Sequence, residues 1–191
     1  MSGQYLTDPL AFLVNTLFGL YILAVMLRFL LQWVRADYRN PISQFLIRVT
    51  QPPLQPLRRV IPPIGRADTS AIVLMLLLQF CTLALVYWIN GTNVSAGFLF
   101  VRSVAELLNL LLNVFLVVVI IRVILSWVNP GHYNPAIGVI DNLAEPVLAP
   151  ARRIIPSIGG LDLSPIAVLV GIQLIKMVLI MPLRDLALVF L

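Results

Sequence analysis

"NPISQFLIRVTQPPLQPLRRVIPPIGRADTSAI", residues 40–72, and "NPAIGVIDNLAEPVLAPARRIIPSIGGLDLSPI", residues 134–166, lie 94 positions apart and align without a gap. Extended into the flanking segments, Leu10 to Cys81 against Val104 to Ile175, the same register keeps 24 of 72 positions identical. The shared positions include Pro, Arg, Asn, Asp, Trp and Gln, so hydrophobicity alone does not produce the match. One unit is written twice, and a repeat of this kind decides the architecture before any single motif does.

Each copy sits between long apolar runs. Of the 191 residues 60% are hydrophobic and 11% charged, and the mean hydropathy is +0.99, far outside the range of a soluble domain. Four runs, residues 10–34, 70–89, 104–128 and 164–181, are long enough to cross a bilayer. Lipid offers no hydrogen-bond partner, so such runs must be helical. The fold expected is an all-α membrane protein of four transmembrane helices in two parallel tandem repeats, residues 1–94 and 95–191. Each repeat carries an interfacial amphipathic helix and a Pro/Arg-rich loop, at 35–69 and 129–163, and a short tail follows the last span. The N-terminus lacks the basic region of a secretory signal, so the first span is expected to be retained.

Arg35, Arg39, Arg48, Arg58, Arg59 and Arg66 lie between the first two spans, whereas the linker from Asn90 to Arg102 holds one basic residue. The positive-inside rule places both loops in the cytoplasm and both termini outside. Within each loop, Asn40-Pro41 and Asn134-Pro135 read as an N-cap followed by a first helical proline. Ile42, Phe45, Leu46 and Val49 then form the expected apolar face, opposite Ser43, Gln44 and Arg48; Ala136, Val139, Ile140 and Leu143 repeat it opposite Asp141, Asn142 and Glu145. The prolines at 52, 53 and 56, and at 146 and 150, are expected to end these helices. Gly65, or Gly159 and Gly160, turns the chain, and Ser70 and Ser164 are expected to cap the next spans.

Arg58, Arg59, Arg152 and Arg153 lead the candidate binding residues, because a guanidinium fork matches phosphate or carboxylate in two contacts. Asp68 and Asp162 are their expected intramolecular counter-ions. The partners implied are anionic lipid headgroups, unidentified membrane or cytoplasmic proteins, and further copies of the chain. The net charge of +5 is assigned to lipid contact, with no direct nucleic-acid role. Arg28 and Arg122, six residues before the ends of their spans, are expected to snorkel toward headgroups or to pair with a loop Asp or Glu145. Asn15, Asn109, Gln79 and Gln173 are expected to make hydrogen bonds between helices. Glu106, Asn109 and Asn113 share one helix face, an acidic stripe that breaks the repeat and points to a cation route. Lys176 is expected to snorkel near Arg184 or to pair with Glu106.

A lone Cys81 excludes a disulfide framework, and a lone His132 makes a poor metal or haem ligand. No metal or other cofactor is expected. Catalytic motifs are absent and the carboxylates are scattered, so no catalytic residue is assigned and an enzyme is not expected.

The chain resembles the YggT family of small bacterial membrane proteins, also called YlmG-like, with relatives in cyanobacteria and chloroplasts. The resemblance covers both halves and rests on "LRFLLQWV…NP…TQPPLQPLRRVIPPIG…D" and "IRVILSWV…NP…AEPVLAPARRIIPSIGGLDLSP". It implies a bacterial inner-membrane protein of the kind linked to cell division and septum or nucleoid organisation, to haem attachment in a photosynthetic cytochrome complex, or to osmotic tolerance and potassium uptake. The function expected is non-enzymatic assembly or organisation in the cell envelope. The rival is transport of potassium or another small solute in osmotic adaptation.

Overall fold

The computed structural model describes residues 4–65, 67–128, 134–155 and 162–191. The regular elements among them are all helices, in the order α1 (Gln4–Trp33), α2 (Pro41–Val60), α3 (Thr69–Ile89), α4 (Ala96–Val128), α5 (Pro135–Ile154) and α6 (Ser164–Ile175). A π-helical turn, Lys176–Ile180, then joins α6 to α7 (Met181–Leu188). Four segments are long and apolar enough to cross a membrane: Thr7–Trp33, Thr69–Ile89, Ala96–Val128 and Ser164–Leu188. They carry the four-span, two-repeat fold that the sequence implies.

Two boundaries differ from expectation. The third span begins at Ala96 rather than Val104, because the Ser95 hydroxyl accepts the Phe98 N–H at 3.1 Å and starts the helix inside what reads as a linker. The fourth span continues past 181 to Leu188. Pro182 has no N–H to give the preceding turn, and the chain widens into the π turn instead of stopping.

In each repeat the two spans pack as an antiparallel pair, α1 on α3 and α4 on α6 and α7, and α3 against α4 joins the repeats. The shorter helices lie across their own repeats, α2 on α1 and α3, α5 on α4 and α6. One apolar core fills the half of the bundle nearest α2 and α5, with Ile22, Val25, Leu54, Met75, Val119 and Leu143 at its centre. A smaller cluster of Phe98, Leu99 and Ala187, flanked by Tyr87 and Phe80, closes the opposite end. Trp33 and Trp127 are exposed at the α2/α5 end, as an interfacial aromatic belt requires.

The amphipathic helices depart from the sequence reading twice. Neither is ended by its prolines, and the buried face of α2 is Ser43, Leu46, Thr50 and Leu54, while Ile42 and Phe45 are exposed. Pro53 cannot donate to the Val49 carbonyl, but the Tyr21 hydroxyl of α1 does so at 3.3 Å. A tertiary partner thus takes the acceptor that Pro53 leaves open. Arg28 adds a second tie between α1 and α2 by donating to the Ile47 carbonyl at 3.3 Å. In α5 the expected face holds in part, with Val139 and Leu143 buried beside Ala144 and Leu148.

Candidate functional site

The two connectors between α2 and α3, and between α5 and α6, are built on one plan. Asn40 and Asn134 cap their helices by accepting the N–H of Ile42 and of Ala136, each at 2.9 Å, as the sequence implies. Gly65 takes φ +61 and makes the turn that a side chain would resist. Arg66, His132, Gly159 and Gly160 lie outside the described residues.

The cap of α3 is Asp68, which accepts the Ala71 N–H at 3.4 Å, and not Ser70. The Ser70 hydroxyl turns back instead and donates to the Ile61 carbonyl at 2.8 Å, holding the connector closed. Ser164 is likewise the first residue of α6 and no cap; Asp162 accepts its N–H at 2.9 Å. A carboxylate that already faces an arginine does this work better than a hydroxyl, because the charge also suits the positive end of the helix.

Each arginine pair divides its labour. Arg58 pairs with Asp68, which is 2% exposed, and Arg152 reaches Asp162 at 3.0 Å and Glu145 at 3.2 Å. The counter-ion roles expected of Asp68 and Asp162 are therefore realised. Arg59 and Arg153 are both exposed, and neither has a partner among the described residues. Burial pushes the Asp162 carboxyl up, but the hydrogen bonds of Ser164 and the Arg152 guanidinium outweigh it and hold the group below the usual carboxylate range.

Arg28 does not snorkel. It is 7% exposed and bridges α1 to α2 through Thr50 Oγ1 at 2.8 Å and Gln51 Oε1 at 2.7 Å. The second repeat places Ala144 and Glu145 at the positions equivalent to Thr50 and Gln51, and its arginine, Arg122, pairs with Asp141 of α5 instead. Thr50, Gln51 and Tyr21 were invisible to an apolar template, yet Ser43, Thr50 and Leu54 do fall on one stripe at helical spacing. Beside these groups the first repeat keeps a cavity of about 320 Å³ lined by Arg28, Tyr38, Ser43, Arg58 and Asp68. The second opens a cleft of about 620 Å³, mostly apolar, with Arg122, Arg152 and Asp162 on its wall.

The intramembrane polar residues gather elsewhere. Asn15, Gln79, Glu106, Asn109 and Asn113 converge on one cavity between α1, α3 and α4, while Gln173 faces outward on α6. The amide bonds between helices expected of Asn15, Gln79, Asn109 and Gln173 are not formed among the described residues. Lys176 donates to Asn113 Oδ1 rather than to Glu106. Glu106 is held by Arg102 at 3.0 Å and Arg184 at 2.9 Å, two residues that the sequence reading left without a role. No group of three or more metal-ligating side chains occurs among the described residues.

A family model described as CCB3/YggT matches the chain twice, over residues 7–89 and 101–183, in step with the repeat. An uncharacterized protein of Pseudomonas aeruginosa is 45% identical over 172 residues, covering 88% of this chain and 87% of the relative. An uncharacterized protein of Vibrio alginolyticus is 43% identical over 169 residues, 87% of this chain and 90% of its own. The uncharacterized protein YggT of Escherichia coli is 36% identical over 173 residues, with 89% and 88% covered. No solved structure matches.

Proposed function

The chain belongs to the CCB3/YggT family, and from that premise we propose that it works without enzymatic chemistry, as an integral inner-membrane factor in envelope assembly or organisation. Its two connectors would lie on the cytoplasmic face and hold anionic groups, those of lipid headgroups and of acidic protein partners. The observation that carries this reading is the repeated division of the arginine pairs. In both repeats one arginine closes the connector on an aspartate, and the next stands exposed with no partner among the described residues. A guanidinium left free beside a rigid, proline-containing helix end is already ordered for a bidentate anion. The exposed Val60 of α2 and Ile154 of α5, each next in sequence to its free arginine, border these sites with apolar surface suited to the membrane interface.

The test is crosslinking in native membranes with identification of captured proteins, together with analysis of the lipids retained on purification. The double variant Arg59→Ala, Arg153→Ala should insert normally while losing crosslinked partners and retained anionic lipid. Unchanged crosslinks and unchanged lipid would overturn the reading.

A further inference from the structure

The cavity of about 320 Å³ in the first repeat carries an unbalanced charge. Its charged walls are Arg28, Arg58 and Asp68, two cations against one carboxylate. Both oxygens of Asp68 are engaged, one by Arg58 and the other by the Ala71 N–H at 3.4 Å. Arg28 meets only neutral acceptors, the Ile47 carbonyl, Thr50 Oγ1 and Gln51 Oε1, and no carboxylate is in ion-pair contact with it among the described residues. A guanidinium as buried as this is costly to leave without a touching counter-charge, and it keeps N–H donors beyond those contacts.

The second repeat shows what is missing. In the 94-residue register Arg122 matches Arg28 and Asp141 matches Ile47, and there the two form an ion pair. The first repeat thus has an isoleucine on the cavity wall where the second has the carboxylate that neutralises its arginine. Ser43 points the same way. Its buried hydroxyl lines the cavity without a hydrogen-bond partner among the described residues, and its equivalent in the second repeat is Ile137. An occupant with acceptor oxygens and negative charge satisfies both groups, whereas a cation finds no free carboxylate. We propose that this cavity binds a phosphate-type oxyanion, with Arg28 and Ser43 at its buried floor, Arg58 half-buried above them, and the exposed Tyr38 at its mouth. Guanidinium forks suit the oxygens of such an ion. At about 30 Å³ per water the space equals roughly ten waters, room for a polyatomic anion with part of its hydration. Gln32 also lines it, next in sequence to the exposed Trp33, so the site lies at headgroup depth, where phosphate arrives on a lipid or as the free ion. Arg59 has no part in this lining, and the inference does not rest on the free arginines.

The test uses full-length protein, delipidated in maltoside detergent without phosphate buffer. Inorganic phosphate is titrated calorimetrically in one arm and phosphatidylglycerol in mixed micelles in the other. Saturable binding is expected: with inorganic phosphate it assigns the free ion, and with the lipid alone it assigns a headgroup. Ile47→Asp copies the carboxylate of the second repeat and should weaken binding at least tenfold with cooperative melting intact, whereas the neutral Ile47→Asn should retain most of it. Ser43→Ala should weaken binding severalfold, and Arg59→Ala with Arg153→Ala should leave it unchanged. No saturable binding in either arm, or binding indifferent to Ser43→Ala or to a cooperatively melting Ile47→Asp, would overturn the site. Binding lost with the free arginines but kept in Ile47→Asp would also overturn it, while leaving the role proposed for those arginines standing.

Discussion

Arg35 holds φ +55 at the end of α1, in the left-handed region that an L side chain enters at about 1–2 kcal/mol. Its place is fixed by the Ala36 N–H reaching back to the Leu31 carbonyl at 2.9 Å, with Ala36 buried beneath. Arg35→Gly should therefore raise stability by about 1 kcal/mol, read as a higher melting temperature in detergent. The two connector aspartates should differ more sharply. Removing the buried Asp68 strands Arg58 beside Arg28, and Asp68→Ala should cost about 3 kcal/mol. Asp162, 43% exposed, should cost less than about 1 kcal/mol as Asp162→Ala, because water screens its pair. The folded pKa of Asp162 is depressed, so what it contributes is present above about pH 4 and fades as pH falls through the lower folded value. The protection factor of the Ser164 amide, taken relative to its intrinsic exchange rate at each pH, should fall below that pH and stay flat between pH 5 and 8.

At the scale of elements, α2 owes its continuity to α1. Tyr21→Phe removes the hydroxyl that serves the Val49 carbonyl, and should cost about 0.5–1.5 kcal/mol while loosening α2 near Pro53 in hydrogen exchange. The spans, the turn at Gly65 and the two asparagine caps were legible because each depends on residues adjacent in sequence. The persistence of α2 and α5 through their prolines was not. Proline ends a helix when its acceptor goes unpaired, and in α2 the group that pairs with the acceptor left by Pro53 comes from 28 residues away. The buried face of α2 escapes an apolar count for a related cause: Thr50 faces inward to meet Arg28, and Ser43 is buried although its hydroxyl has no partner among the described residues, while Ile42 and Phe45 stay exposed. The arginine pairs were legible as candidates, but only contacts between distant segments show which arginine of each pair stays free.

At the scale of the whole molecule, duplication gave one backbone plan and then separate chemistry. Gln79 points into the cavity while Gln173 points out, and position 51 serves Arg28 where position 145 serves Arg152. With four spans and both connectors on one side, cysteines placed at Arg59 and Asn93 in a Cys81→Ser background should label from opposite faces of sealed vesicles. Labelling from one face would sink the four-span arrangement.

The Asn40 side chain donates to the Pro135 carbonyl at 2.6 Å and fastens the start of α2 to the start of α5. Arg59 and Arg153, without partners among the described residues, stand at the other ends of these same two helices and form a bivalent pair. An anionic surface that engages the first is presented to the second at high effective concentration, with little further ordering to lose. Avidity of this kind hides the contribution of either arm: Arg59→Ala or Arg153→Ala alone should weaken capture only modestly, the double variant far more than the two single losses combined, and Asn40→Ala, with both arginines in place, should erode that cooperation.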